Sequence, residues 1–222
     1  MDRRQGMDVM RAMEERRSTR AFLNRPVERE ILERLLQGGT QAPSAINLQP
    51  WEITVVSGNE RERLSRLLIK RMRERRVSCG PGARDPLAER FVERQRGLLD
   101  VILPNLPQGA PFEDFINEGS CNFYGAPCAI IISIDQVFSS ARLTDIGILV
   151  GYLVLAAYAL GLGTCPIGLI TAFEDDIKEV LSIPDSRHVV IGVGVGYPDP
   201  DAPINRSRSK RVPLGDVVKW RD

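Results

Sequence analysis

Hydrophobic residues recur along the chain with two distinct periods. Leucine and isoleucine at helical spacing in Glu28–Leu36, between Pro26 and a pair of glycines, predict a helix with clear start and stop signals. Two continuous apolar runs, Cys128–Ile134 and Val189–Val195, are typical of strands in the middle of a sheet. The same criteria predict further helices at Met7–Arg16, Glu60–Arg76, Pro86–Leu99 and Glu174–Leu181, and a strand at Glu52–Ser57.

A long uncharged segment runs from Ile146 to Phe173. Its length raises the possibility of a membrane helix, but glycines and a proline interrupt its second half and no basic cluster flanks it. We therefore predict a fully buried helix from Asp145 to about Leu160, followed by a loop at Thr164–Gly168. Because a helix that is apolar on all faces needs cover on all faces, we expect a subunit interface to supply part of that cover.

The predicted elements alternate irregularly, with more helices than strands. This order favours an α+β fold in which helices cover both faces of a small sheet. The length of 222 residues is consistent with one domain spanning residues 1–222. Residues 79–120 contain scattered glycine and proline with weak periodicity, so we interpret them as an excursion from the core that forms a lid.

Composition excludes several classes of protein. The chain has 30 basic and 29 acidic side chains, a balance that argues against wrapping nucleic acid through bulk charge. Its 4 cysteines form no CxxC pair and it has 1 histidine, so neither a disulfide scaffold nor a zinc site is predicted. The first twenty residues contain no apolar run, so we expect no signal peptide, a reducing cytoplasmic location and no membrane partner.

Three patterns have a plain structural interpretation. The glycines of GVGVG at 192–196 precede Tyr197-Pro198, which cannot continue as the helix of a dinucleotide-binding motif; we expect a strand with something packed closely on its backbone. His188 stands at a strand start without a triad pattern and is expected to be structural. The basic excess at 61–76 indicates either an anionic partner or, as we favour, a solvated helix face.

Four further segments are candidates for a binding site. Residues 16–20 (RRSTR) combine guanidiniums, which match phosphate oxygens, with hydroxyls; the alternative is a helix end with basic residues opposing its dipole. Residues 42–51 (APSAINLQPW) form a proline-stiffened loop that could present backbone amides and Asn47, or simply connect a helix to a strand. PIG at 166–168 follows the apolar helix, and RSRSKRVPL at 206–214 is a second basic cluster.

In their order and spacing these segments resemble the FMN-dependent nitroreductase family, and the resemblance runs from RRSTR through PSAINLQPW, GAP at 125–127 and LGLGTCPIG at 160–168 to SKRVPL at 209–214. It implies an α+β nitroreductase-like fold with a small, mostly antiparallel sheet between two helical layers. It also implies a homodimer with FMN at the subunit interface. The reaction would be hydride transfer from NADH or NADPH through FMN to a nitroaromatic, quinone or similar small acceptor.

The resemblance assigns roles residue by residue. Arg16 and Ser18 would serve the FMN phosphate, and Arg20 the pyrimidine edge of the flavin near N1 and O2. The Gly168 backbone N–H would face flavin N5. The remaining matched positions are Arg17 in the first segment, Arg211 at the phosphate, Pro166 and Ile167 beside the ring, and Pro43, Ser44, Ala45 and Asn47, which the other subunit would supply.

Two departures from the family pattern concern these roles. Many members have a basic residue two positions before the late arginine, where this chain has Ser209 between Arg208 and Lys210, so the phosphate partner of Arg211 stays open. Many have glutamate at the position of Gly168. No catalytic acid is evident. The alternatives are a flavin enzyme of the same fold with another reaction, such as reductive dehalogenation or flavin fragmentation, and a non-catalytic binding protein that uses helix 61–76.

Overall fold

The computed structural model describes residues 8–221, and a four-stranded antiparallel sheet lies at its centre. The strand order is β1-β2-β4-β3, which places the two continuous apolar runs in the middle of the sheet. The sequence predicted both inner strands, since only a strand covered on both faces can be apolar at every position. The strands are β1 (Trp51–Ser57), β2 (Cys128–Asp135), β3 (Gly163–Ile167) and β4 (Arg187–Gly196).

Helices cover both faces of this sheet. Alternate residues of β2 point to opposite sides: Ile130 and Ile132 pack with one group of helices, and Ala129 and Ile131 with the other. Helices α2 and α6 supply the first core, and α3, α5 and α7 the second. The α+β architecture is confirmed. The helices are α1 (Val9–Glu15), α2 (Arg29–Gly39), α3 (Gly58–Arg75), α4 (Glu89–Ile102), α5 (Phe112–Cys121), α6 (Leu143–Ala159) and α7 (Glu174–Leu181).

The predicted loop at Thr164–Gly168 was wrong over most of its length. Strand β3 continues to Ile167, and Pro166 stands opposite Val193 of β4. Proline has no N–H for a second neighbour, so an edge strand tolerates it. Gly168 follows directly after the strand.

Residues 79–120 contain more regular structure than their periodicity indicated. Helix α4 was predicted three residues too early at both ends, and α5 was not predicted at all. After α5 the chain turns sharply, and Phe123, Tyr124 and Gly125 all take the left-handed conformation. The helix predicted at Met7–Arg16 spans Val9–Glu15, while Met7 lies outside the described residues.

The glycines at 192–196 lie inside β4 and allow close packing on its backbone, as expected. A Cβ atom on Gly194 would lie 2.9 Å from the carbonyl oxygen of Phe123. Only glycine leaves room for this contact, which brings the left-handed turn against the sheet.

Helix α6 is the one helix of the described chain that is long and apolar enough to cross a membrane by length and composition. Ile146, Leu149 and Leu153 pack against the sheet and α2, so one face is the core face of a folded domain. The single chain leaves the outer side of α6 partly uncovered, since Leu143 and Tyr152 are 43% and 41% exposed, and the cover expected from a subunit interface stays a prediction.

Candidate active site

The RRSTR segment lies along the free edge of β3. Ser18 forms a parallel bridge with Thr164, and the Thr19 N–H donates to the Thr164 carbonyl oxygen over 2.8 Å. In this extended backbone alternate side chains face opposite ways. Thr19 is buried against Gly163, where a Cβ would come within 2.4 Å of the threonine Oγ1. The sheet edge thereby holds the arginines on either side of Thr19 in fixed positions.

Arg211, in the basic segment at 206–214, lies near Arg16 of the RRSTR segment. Burial and the neighbouring Arg211 guanidinium lower the pKa of Arg16 from its ordinary value. The Arg211 Nη1 donates to Ser209 Oγ over 2.9 Å and to the Ser209 carbonyl oxygen over 3.2 Å. Ser209 stands where many family members have a basic residue, and here its hydrogen bonds hold the Arg211 side chain.

The RRSTR segment and the basic segment at 206–214 line one cavity of about 730 Å³. The structure brings together Arg16, Arg17, Ser18, Arg20 and Arg211 there. It adds Arg208 and Ser209 to the wall, whereas Lys210 lines a neighbouring cavity with Ser209 and Arg211. The other lining residues are Met13, Glu14, Glu15, Arg94, Leu98, Ile102 and Ser207.

The cavity is strongly positive, with six guanidiniums and two carboxylates on its wall. Glu15 already accepts hydrogen bonds from Tyr158 over 2.5 Å and from Arg11 over 2.9 Å, and these contacts lower its pKa. The guanidiniums of Arg16 and Arg211 repel one another. An anion between them would relieve that repulsion and accept charge-assisted hydrogen bonds.

Arg20 joins this cavity to a second one. Its Nε is buried and has no hydrogen-bond partner among residues 8–221, and its guanidinium lies 5.8 Å from the centre of the Tyr124 ring. The second cavity, of about 410 Å³, is lined by Arg20, Ile69, Ala110, Asp114, Phe115, Glu118, Gly119, Asn122, Tyr124 and Gly125. A buried unpaired donor at this junction indicates a ligand atom as its partner.

One site residue carried no signal in the sequence. Asn205 is buried, and its Oδ1 accepts the Arg20 N–H over 2.9 Å. Its Nδ2 donates to the carbonyl oxygens of Ala21 and Asp199 over 2.8 Å and 2.9 Å. This side chain ties the RRSTR segment to the start of the C-terminal segment, so it positions both cationic groups. An isolated asparagine in a polar stretch does not reveal such a role before the fold is known.

The nitroreductase family model matches residues 13–197. The chain belongs to the nitroreductase family. It is 33% identical over 202 residues to a 4-nitrobenzoate reductase of Pseudomonas putida, covering 88% of each chain. It is 28% identical over 214 residues to nitroreductase NfnB of Mycolicibacterium smegmatis, covering 95% of this chain and 91% of that one. The family resemblance drawn from the motifs is confirmed.

Solved structures agree with this assignment. The FMN-dependent nitroreductase NfnB from Mycobacterium smegmatis in complex with NADPH superimposes with a TM-score of 0.84 at 28% identity, over 97% of this chain and 100% of that one. The FMN and NADPH-dependent nitroreductase NfnB from sphigopyxis sp. strain HMH superimposes with a TM-score of 0.87 at 25% sequence identity. The match covers 97% of this chain and 100% of that one.

Two predicted segments of this nitroreductase lie apart from the arginine-lined cavity. Ser44 Oγ accepts the Gln49 N–H over 2.9 Å, and Asp145 Oδ1 accepts the Ala45 N–H over 3.3 Å. Asn47 has a left-handed backbone, and the preceding Ile46 is 91% exposed. Within one chain, the residues that line the cavity include none of Pro43, Ser44, Ala45, Asn47, Pro166, Ile167 and Gly168. Their assignment stays a prediction.

The structure favours the plain interpretation of the basic helix. Basic side chains of α3 pair with carboxylates: Arg71 and Arg75 both contact Asp176 at 2.7 Å. His188 is exposed and its Nδ1 lies 3.2 Å from Glu174, so its predicted structural role stays a prediction. Further partners on α3 are Arg63 with Glu60, Arg66 with Glu62, Lys70 with Glu74 and Arg73 with Glu118.

The buried cysteines are not nucleophiles. Burial raises the pKa of Cys121 and of Cys128 to about 12, and that of Cys165 to about 11. Thiols of this kind stay protonated at neutral pH. None of these three cysteines is among the residues that line the arginine-lined cavity.

Proposed function

We propose that this nitroreductase-family protein is an FMN-dependent NAD(P)H oxidoreductase that reduces nitroaromatic or quinone-like acceptors. The observation that carries the proposal is the convergence of the RRSTR segment and Arg211 on one cationic cavity. Its relatives include reductases of 4-nitrobenzoate, chloronitrobenzene and nitrobenzene. The non-catalytic alternative has less support, since several basic side chains of α3 are paired with carboxylates within the chain.

The donor set fits FMN at both ends. Arg16, Ser18 and Arg211 would hold the phosphate, because paired guanidiniums and a hydroxyl match its oxygens. The phosphate dianion would remove the repulsion between Arg16 and Arg211. Three charge-assisted hydrogen bonds of about 1.5–3 kcal/mol each are sufficient for micromolar binding without a covalent link.

Arg20 would hold the pyrimidine edge of the flavin. Its buried Nε needs an acceptor, and a fixed positive charge there favours the reduced state of the ring. FMN, when bound, supplies the hydride chemistry between the nicotinamide and the acceptor. The protein contributes orientation and charge, and we assign no catalytic acid among its own side chains.

We also propose that two copies form a homodimer and complete the site. Gly147 and Gly151 stand four residues apart on α6, one turn after the exposed Leu143. Cβ atoms added at either glycine would meet nothing within 4 Å, which leaves room for a second helix to approach closely. Ile46 and Asn47 are exposed and left-handed, which supports the predicted role of their loop as a partner-supplied segment.

The absorption spectrum of the purified protein tests the flavin proposal. We expect bound or reconstitutable FMN, which NADH or NADPH bleaches and a nitroaromatic restores. Arg16→Ala should weaken FMN binding about tenfold or more, while Arg29→Ala, on an exposed ion pair of α2, should leave it unchanged. Protein that takes up no FMN refutes the proposal, and turnover of other substrate classes only would favour the same-fold alternative.

Sedimentation of wild type and a Gly147→Glu variant tests the dimer. A carboxylate in a close helix contact would be desolvated and unpaired, so the variant should sediment as a monomer. A wild-type monomer, or a variant that dimerises normally, would contradict the α6 interface. We further propose a reducing, cytoplasmic location, which the exposed free thiol of Cys79 supports.

A further inference from the structure

Helix α4 contributes a guanidinium to the arginine-lined cavity that the family resemblance does not assign. Arg94 lines the same cavity as Arg16 and Arg211, together with Leu98 and Ile102 of the same helix. The helix belongs to residues 79–120, which we interpreted as a lid. One wall of the cationic cavity therefore comes from this excursion.

Two guanidiniums of α4 project together and lack carboxylate partners. Arg90 and Arg94 are four residues apart and share a helix face. Their guanidiniums lie 4.6 Å and 5.3 Å from the centre of the same aromatic ring, that of Phe91. Within residues 8–221 neither has a carboxylate within 4 Å, whereas Arg96 on the same helix pairs with Glu89 at 3.0 Å.

A neighbouring cavity of about 380 Å³ contacts both arginines. It shares Arg94 and Arg211 with the larger cavity, and Arg90 and Lys210 add positive charge. Glu93 and Asp216 also line it and offset part of that charge. Taken together, the two cavities carry eight basic and four acidic side chains, an excess of four positive charges.

FMN accounts for only part of this excess. A phosphate monoester contributes about two negative charges at neutral pH, and Arg16, Ser18 and Arg211 suffice for its oxygens. About two positive charges are then left over in the two joined cavities, whose basic residues include Arg90 and Arg94 of α4. A second anionic group would have both room and partners there.

We propose that Arg90 and Arg94 form a second anion subsite that binds a phosphate or carboxylate group of a reactant. The inference rests on the proposed function, since the subsite adjoins the FMN phosphate. The phosphate would be that of the reducing dinucleotide, and the 2′-phosphate distinguishes NADPH from NADH. The carboxylate would belong to an aromatic acceptor such as 4-nitrobenzoate.

Arg94→Gln in the FMN-loaded protein tests the subsite, with Arg90→Gln as a second variant and Arg96→Gln as the matched control. Calorimetry gives the affinities for NADP⁺ and NAD⁺, and steady-state kinetics gives KM for 4-nitrobenzoate and nitrobenzene. Loss of a charged contact should weaken the anionic ligand about tenfold. Because both α4 arginines are exposed, the melting temperatures should not change.

The two possible sources of the anionic group, the dinucleotide phosphate and the acceptor carboxylate, predict different changes in these measurements. A loss confined to NADP⁺, with NAD⁺ unchanged, supports the subsite and identifies the dinucleotide phosphate. A raised KM for 4-nitrobenzoate, with nitrobenzene unchanged, supports it and identifies the acceptor carboxylate. Variants that match Arg96→Gln in every measurement overturn the inference and leave the proposed function intact. Weakened FMN uptake in Arg94→Gln overturns it too, since the arginine would then serve the FMN phosphate. A wild-type protein that takes up no FMN overturns both.

Discussion

Replacing Asn205 by alanine should separate FMN affinity from riboflavin affinity. The side chain makes three hydrogen bonds of 2.8–2.9 Å, one to the backbone of Arg20 and two that join Ala21 and Asp199. Each is worth about 1 kcal/mol, so their loss should lower the free energy of unfolding by about 3 kcal/mol. The larger functional effect should fall on the phosphate, because Asn205 joins the segments that carry Arg16 and Arg211.

The expected loss of FMN affinity follows from the same geometry. If one charge-assisted contact to the phosphate is lost, binding should weaken by about 1.5–3 kcal/mol, or ten- to hundredfold. Riboflavin lacks the phosphate, so its affinity should change much less. Titrations of both ligands, followed by quenching of flavin fluorescence, measure the ratio directly.

Two further variants distinguish positioning from simple destabilisation. Ile132→Ala removes a buried side chain of β2 and should cost about 2–5 kcal/mol of stability, but it should leave the ratio of FMN to riboflavin affinity unchanged. Asn205→Asp keeps an acceptor for the Arg20 N–H, but it replaces the donating amide nitrogen with an oxygen that faces two carbonyl oxygens. Because that oxygen cannot donate to them, this variant should not rescue FMN binding. Equal losses of FMN and riboflavin affinity in Asn205→Ala would refute the positioning role.

Three other changes follow from particular contacts. Gly194→Ala should destabilise the fold by about 1–3 kcal/mol in urea unfolding, because its Cβ would lie 2.9 Å from the Phe123 carbonyl oxygen; full stability would contradict that packing. Tyr197 and Arg25 hydrogen bonds lower the pKa of Glu28 to about 2, so the ionised carboxylate stabilises the fold above its unfolded pKa near 4.5. Tyr197→Phe should therefore lower the melting temperature at pH 7, and the deficit should shrink as the pH falls from about 4.5 to 2; a constant deficit would exclude this linkage. Arg20→Met should lower the midpoint potential of bound FMN by about 30–60 mV in dye-equilibration titrations, whereas an unchanged potential would remove Arg20 from the pyrimidine edge.

The core of this fold was predictable because hydrophobic patterning carries it. Strands β2 and β4 are apolar at nearly every position, and α2 has a single apolar face. Strand β3 was missed because proline and glycine usually indicate a loop, and an edge position is what makes proline acceptable there. Helix α5 was missed because a short helix with interspersed glycine and polar residues has weak periodicity.

Site residues were predictable from the sequence only where several of them lie within one short segment. Guanidiniums and hydroxyls within five residues indicate phosphate binding before any fold is known. The roles proposed for Asn205 and Arg94 depend on neighbours that lie far away in the chain, so no local pattern indicates either residue. The fold brings these residues to the site. The RRSTR segment lies along the edge of β3, and α4 forms part of the wall of the arginine-lined cavity. We therefore propose that the wall formed by α4, from the least regular part of the sequence, influences which reactants the cavity accepts.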